Sequence, residues 1–273
     1  MPSDRPRSAG LRPVSRAMTR AYAGGLTAPR PRCGAADSAH SGLCWTPQTG
    51  TLRDVSPTPR PLAAYWPIFG LQLATPRLVL TPLQDADLPE LCELILAGIH
   101  DASAMPFRFP WTDAPRDEIV PAALRYHWST RAASTPERWS VTFAVRRGGG
   151  LVGLQELRAE DFAVTRTVRT GSWLGRSHQG HGIGTEMRSA VLQFAFDHLR
   201  ADRADTGAFT DNPQSLAVSR KLGYRPDGTA VLRRRPGERA VEQRLTVDRT
   251  TFVRPDWMVQ FRGLSACLPY FGL

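Results

Sequence analysis

The chain has 273 residues, 41% of them hydrophobic and 22% charged, with a net charge of +10 and a pI near 10.4. That length holds one domain of about 200 residues plus an extension, or two small domains, and such a domain buries roughly 70% of its unfolded surface without staples. Cys33, Cys44, Cys92 and Cys267 form no CxxC pair, which argues against a zinc site or disulfide framework and suits a reducing cytoplasm; no run approaches the ~18 apolar residues of a membrane span, and no compact apolar stretch follows a basic start as in a signal peptide.

The charge is unevenly placed. Residues 1 to 70 hold nine arginines against three aspartates, and apart from Lys221 every Lys/Arg position is Arg. A GC-rich genome explains that bias as readily as bidentate anion recognition. Residues 1–66 are crowded with Pro, Gly, Ser, Ala and Arg without helical or strand period, so they are expected to be a disordered extension. Three origins fit it: an upstream stretch from an early assigned start, a basic tether for acidic partners such as nucleic acid, or a transit peptide lacking a clear amphipathic helix. A folded domain is expected over 67–273, with its core at 71–250 and a tail at 251–273.

Order begins at "LQLATPRLVL", read as one edge or bulged strand broken by Pro76. Asp85 or Asp87 then caps a helix with Leu88, Leu91, Leu94, Ile95 and Ile99 on one face. A second helix starts near Pro115, and its Tyr126 and Trp128 are expected to serve packing. "RWSVTFAVRR" and "LVGLQELRA" form a hairpin through Gly148, Gly149 and Gly150. "VRTGSWLG" is a further strand, followed by a glycine loop and a helix of about 16 residues whose apolar face carries Met187, Ala190, Val191, Phe194, Ala195 and Leu199. After a short strand, Asn212 as N-cap, Pro213 at the first position and Gly223 beyond the end enclose a helix of about ten residues. "TAVLRRR" and "VEQRLTVDR" flank a "PGER" turn, and the apolar tail is expected to dock on the domain. The order describes an α+β domain with a mixed, mostly antiparallel sheet of about seven strands flanked by helices.

"QGHGIG" opens the long helix. Unpaired amides and the positive dipole end converge there, and Gly180, Gly182 and Gly184 remove the Cβ atoms that would hold a phosphate away. A pyrophosphate is the expected visitor. The third glycine falls one position early for a dinucleotide fingerprint, with Thr185 in its place, and no lysine is near for a Walker loop.

These residues resemble the GCN5-related N-acetyltransferases (GNAT). Gln179–Gly184 is similar to their Q/R-x-x-G-x-G/A pyrophosphate loop, "NPQSLAVSRKLGY" to the segment that follows it, and "LATPRLVLTPLQDADLPEL", with Glu186, to the ribosomal-protein N-acetyltransferase (RimJ/RimL-type) subgroup. The resemblance implies acetyl-CoA as co-substrate, no metal, and an amine acceptor, either a protein N-terminus or a small molecule. It also implies a sheet whose strand before the loop parts from its neighbour at a bulge. Ser172, Trp173 and Leu174 would lie along the pantetheine arm, Gln179, Gly180, His181, Gly182, Ile183, Gly184 and Thr185 would hold the pyrophosphate, and Asn212 would sit near the arm as well as capping its helix. His178 is placed beside the cofactor, without a metal role.

Only a neutral amine is nucleophilic. An α-amine of pKa about 7.7–8.0 is partly neutral near pH 7.4, whereas lysine at about 10.4 needs roughly 4 kcal/mol. Glu156 is the candidate base, with Asp161 second; for both the alternative is a solvent-facing charge. Many members place a tyrosine, as acid to the thiolate, at the position of Ser219, so Ser215 and Ser219 are the candidate donors here. Tyr224 is expected in the core. Other functions in play are a non-catalytic acyl-CoA-binding domain and a nucleic-acid-associated protein acting through its basic arm. The expected location is the cytoplasm, without membrane attachment, as monomer or homodimer.

Overall fold

The computed structural model describes residues 60–273, so most of the 1–66 extension lies outside the described residues. After two 3-10 turns, Leu62–Ala64 and Pro67–Gly70, the chain forms β1 (Gln72–Ala74) and β2 (Val79–Pro82). These pair antiparallel, Leu73 opposite Leu80. The single broken strand expected at Pro76 is thus a hairpin, because a proline cannot continue the ladder and the turn reverses the chain instead. Gln84 and Asp87 form a reciprocal capping box ahead of α1 (Leu88–Leu96). Helix α2 (Arg116–Ala132) starts where Pro115 placed it.

Strands β3 (Arg138–Arg147) and β4 (Gly150–Glu160) form the long glycine hairpin. A short α3 (Phe162–Thr165) precedes β5 (Thr167–Leu174). Helix α4 (Ile183–Gln193) ends in a widened turn over Phe194–His198, where Leu199 N donates to Phe194 O at 3.2 Å. Then come β6 (Arg203–Phe209), α5 (Pro213–Lys221), β7 (Arg225–Arg235), β8 (Glu238–Asp248), β9 (Gln260–Arg262) and α6 (Leu264–Cys267).

The nine strands make one sheet in the order β7-β8-β6-β5-β4-β3-β2-β1-β9. It exceeds the expected seven because the first strand is a hairpin and the tail adds β9 beside β1. Every pairing is antiparallel except β5 with β6. One face carries α1 and α2 over Leu83, Ala144, Leu151 and Leu154. The other carries α4 and α5, and the tail closes it: Val259, Cys267 and Phe271 are buried in the same cluster as Phe194 and Leu192. Helix α4 is therefore enclosed on nearly all sides, as a helix apolar around most of its surface must be.

Two departures from the expected packing sit on α2. Tyr126 and Trp128 are half-exposed rather than core, since α2 buries only Ile119 and Ala123 against α1 and the sheet. Trp128 instead donates to Asp85 Oδ1 at 3.3 Å. Tyr224 is buried, its hydroxyl 3.2 Å from that of Thr170.

Candidate active site

The site forms where the sheet comes apart. β5 and β6 pair only at Thr167–Arg203, Val168–Ala204 and Arg169–Asp205. Beyond Arg169 they diverge, and Thr206 Oγ1 donating to Thr170 O at 3.0 Å is the last tie. β4 carries a bulge against β3 further along: Val145 pairs with Gly153 but Arg146 with Leu151, leaving Val152 as an extra residue. Such a bulge bends and twists its strand. It brings β5 so close to β4 that a Cβ on Gly153 would stand 2.2 Å from Trp173 O.

A cavity of about 950 Å3 opens between the parted strands, and Ser172, Trp173, Arg188, Asn212, Ser215 and Glu156 border it. On the α2 face a second cavity of about 590 Å3 shares Glu156 and Tyr126 with it. Glu156 thus sits where the two meet. Its carboxylate accepts from Ser140 Oγ at 2.9 Å, and a Cβ on Gly171 would stand 3.1 Å from its Oε2. Burial, followed by the charge of Glu156, pushes the Tyr126 hydroxyl above its ordinary pKa. Asp161, the second candidate base, lies beyond the end of β4 in a left-handed conformation, exposed and lining neither cavity.

β5 leads from the cavity to the glycine loop. Gly180 and Gly182 have φ of 80° and 77°, conformations that L side chains rarely adopt. The loop turns so that the amides from Gly180 to Thr185 have no protein acceptor, and the first protein-bonded one is Glu186 N to Gly182 O at 3.1 Å. Two devices hold it. Gln179 turns its amide inward, donating to Ile99 O at 2.6 Å and Leu174 O at 3.0 Å, so its side chain braces the loop and does not face an anion. Glu186 is buried and paired with Arg77 at 2.6 Å, with Thr75 Oγ1 donating at 2.6 Å. Arg77 also donates to His181 O at 3.2 Å.

The remaining expected residues divide. Ser172 and Trp173 border the cavity, Trp173 with its ring 6.1 Å from that of Trp111, whereas Leu174 and Ile183 turn into the core. Of Ile183 only the amide is available. Asn212 caps α5 by accepting from Ser215 N at 3.1 Å. Ser215 keeps a free hydroxyl beside the cavity. Ser219 does not: it is fully buried, donates to Ser215 O at 3.0 Å and accepts from Arg188 Nη1 at 2.9 Å, so it has no proton to offer a ligand. His178 is half-buried and His181 exposed, and among the described residues no group of three His, Cys, Asp or Glu side chains could hold a metal ion. The same cavity is bordered by Phe107, Trp111, His127 and Arg188, which the sequence reading missed. A signal existed for Arg188, which falls at helical spacing with Gly184, Val191 and Ala195 on the buried stripe.

A GNAT acetyltransferase domain matches residues 77–225. The chain belongs to the GNAT acetyltransferase family. It is 30% identical over 82 residues to the "Putative ribosomal N-acetyltransferase YdaF" of Bacillus subtilis (strain 168), covering 30% of this chain and 44% of that protein. The aligned part therefore spans less than half the length of the curated relatives it matches. Among solved structures, Mycobacterium smegmatis RimJ in complex with a CoA-disulfide superposes with a TM-score of 0.53 at 19% identity, over 66% of this chain and 85% of that one. The alpha-N-protein acetyltransferase RimL in complex with coenzyme A gives 0.50 at 16%, over 64% and 95%. At these identities the likeness is one of fold, and it includes the mixed sheet flanked by helices.

Proposed function

We propose that the chain is an acetyl-CoA-dependent N-acetyltransferase that moves acetyl to a primary amine, a protein N-terminal α-amine or a small-molecule amine, by direct attack within a ternary complex. One observation carries this reading: β5 runs from the cavity between the parted strands, which the half-buried carboxylate of Glu156 borders, directly into a loop of unpartnered amides. The residues fit the coenzyme. Amides from Gly180 to Thr185 supply donors for a pyrophosphate, Asn212 and the edge of β5 at Ser172 and Trp173 flank the arm, and no metal is needed.

On the opposite wall Glu156, through water, accepts the proton that the amine must lose. A carboxylate base suits an α-amine, already partly neutral near pH 7.4, better than a lysine. The names borne by YdaF, a ribosomal N-acetyltransferase, and RimL, an alpha-N-protein acetyltransferase, favour a protein amine over a small one. Ser215, with its free hydroxyl beside the cavity, is a candidate donor to the departing sulfur, and the proposed setting is the cytoplasm.

The test measures coenzyme release from acetyl-CoA over a panel of N-terminal peptides, polyamines and aminoglycosides. Turnover on one class is expected, and Glu156→Gln should lower kcat about 100-fold or more with coenzyme affinity unchanged. Coenzyme binding without turnover on any amine would overturn the reading, as would calorimetric binding indifferent to Gly182→Glu.

A further inference from the structure

Arg188 is the sole buried cation among the described residues, 5% exposed. Yet no carboxylate lies within ion-pair distance of it, whereas sixteen ion pairs join other side chains among the described residues. Its guanidinium is held by neutral oxygens: Nη1 donates to Ser219 Oγ at 2.9 Å and Nη2 to Ser172 Oγ at 3.0 Å. Nε is buried without a partner. A charge taken out of water and left uncompensated is costly to the fold, and five N–H donors are only partly used. The side chain borders the cavity between β5 and β6, so its uncompensated charge acts on whatever occupies that space.

We propose that Arg188 is a catalytic residue, whose guanidinium takes the negative charge that the coenzyme sulfur acquires as the carbon–sulfur bond breaks. The proposal rests on the acetyltransfer reading. In that reaction the amine nitrogen bonds to the carbonyl carbon, the carbon–sulfur pair stays on sulfur, and the amine proton passes through water to Glu156. Negative charge develops on the carbonyl oxygen and then on sulfur. Arg188 is fixed by α5 and β5, on the wall that holds the coenzyme arm, and Glu156 stands on the other, where the amine enters. The charge on the coenzyme wall is the thiolate. Ser219 cannot neutralise it, since its proton is committed to Ser215 O. With the cation in place the sulfur departs as the anion, and no proton transfer is required for the bond to break.

Coenzyme A itself is the probe. The full chain is saturated with it and the thiolate followed by ultraviolet absorbance against pH, beside free coenzyme in the same buffer. The bound thiol is expected to titrate at least one pH unit below the free one, about a tenfold gain in thiolate where both are mostly protonated. Arg188→Met should return it to the free value or above, because burial alone disfavours a thiolate, and Arg188→Lys should restore part of the shift. A wild-type bound thiol that titrates at or above the free one overturns the proposal and needs no folded variant. So does a lowered thiol that Arg188→Met leaves in place. Failure of coenzyme to bind the wild-type chain overturns the acetyltransfer reading and this proposal with it, whereas binding with an unshifted thiol overturns the proposal alone.

Discussion

The two walls of the cavity are built differently. On the α4 side every contact is redundant: Ile183 and Glu186 through Gln193 are all buried, and the tail is stacked over them. The loop is tied twice, by Gln179 and by Glu186 with Arg77. The α2 side is lightly held. Phe109 is 77% exposed, and α2 is anchored by two buried residues and by ion pairs open to water, such as Arg131 with Asp85. On the proposed reading the rigid α4 side would receive the unvarying coenzyme, and the acceptor would meet the α2 side, drawn from the less stable part of the fold.

The heaviest blow to this arrangement would fall at the bulge in β4, where β5 lies close against it. Gly153→Val puts a Cβ 2.2 Å from Trp173 O, a backbone atom that cannot turn aside. A loss of about 3 kcal/mol is expected, read as a lower urea midpoint with unchanged slope, and coenzyme binding should fail before the fold does. Glu186→Ala is next. It strips Arg77 and Thr75 of their shared acceptor, and a cost of about 2 kcal/mol is expected because the carboxylate is buried and charge-assisted. Since Arg77 also holds His181 O, coenzyme affinity measured by calorimetry should fall severalfold in the same variant.

The contrast between the walls also explains what could be read in advance. The coenzyme side was legible because its demands are local: glycines where φ must be positive, Asn212 and Gly223 at the two ends of one helix, a 3.6-residue apolar stripe. Its sheet was undercounted only where a turn at Pro76 and a three-residue strand in the tail carry no period of their own. The acceptor side was illegible because its residues meet through tertiary contacts alone. Trp173 is far in sequence from Phe107 and Trp111, and nothing in the segment between α1 and α2 marks those two as lining a cavity. Arg188 was hidden for another reason: an arginine is read as solvated by default, although its spacing placed it inside.

An effect confined to the α2 wall, and absent at neutral pH, concerns acid. His127 borders the cavity with Nδ1 buried and unpartnered, and burial, then the charge of Arg131, lowers its pKa from 6.5 to about 4. Above pH about 6.5 the ring is neutral in both folded and unfolded chains and contributes nothing. Between about 6.5 and 4 the unfolded chain takes a proton that the native one refuses, so stability falls as pH falls, by about 1.4 kcal/mol per pH unit at most. Below about 4 both are protonated and the slope ends. His127→Phe should flatten urea-derived stability across that window and leave it alone above pH 7.

The least costly change tests whether the acceptor wall is set by surface charge. Arg235, at the end of β7, grips Asp113 with both arms of its guanidinium, Nε to Oδ2 at 2.6 Å and Nη2 to Oδ1 at 2.9 Å. The hydrogen bonds of Arg235 hold the Asp113 carboxyl below its usual range. Because Asp113 is exposed, solvent screening keeps the pair weak, and Arg235→Gln should barely move the urea midpoint. Its geometric consequence is larger than its energy. The pair fastens the turn Trp111–Asp113 to the far sheet, and Trp111 is the ring that meets Trp173 across the cavity. Releasing it should raise KM for the amine severalfold with KM for the coenzyme unchanged. High salt should reproduce that rise in the wild type and leave Arg235→Gln unaffected. A parallel rise in both KM values would mean that the two walls move together, and the division between a rigid coenzyme side and an adjustable acceptor side would not hold.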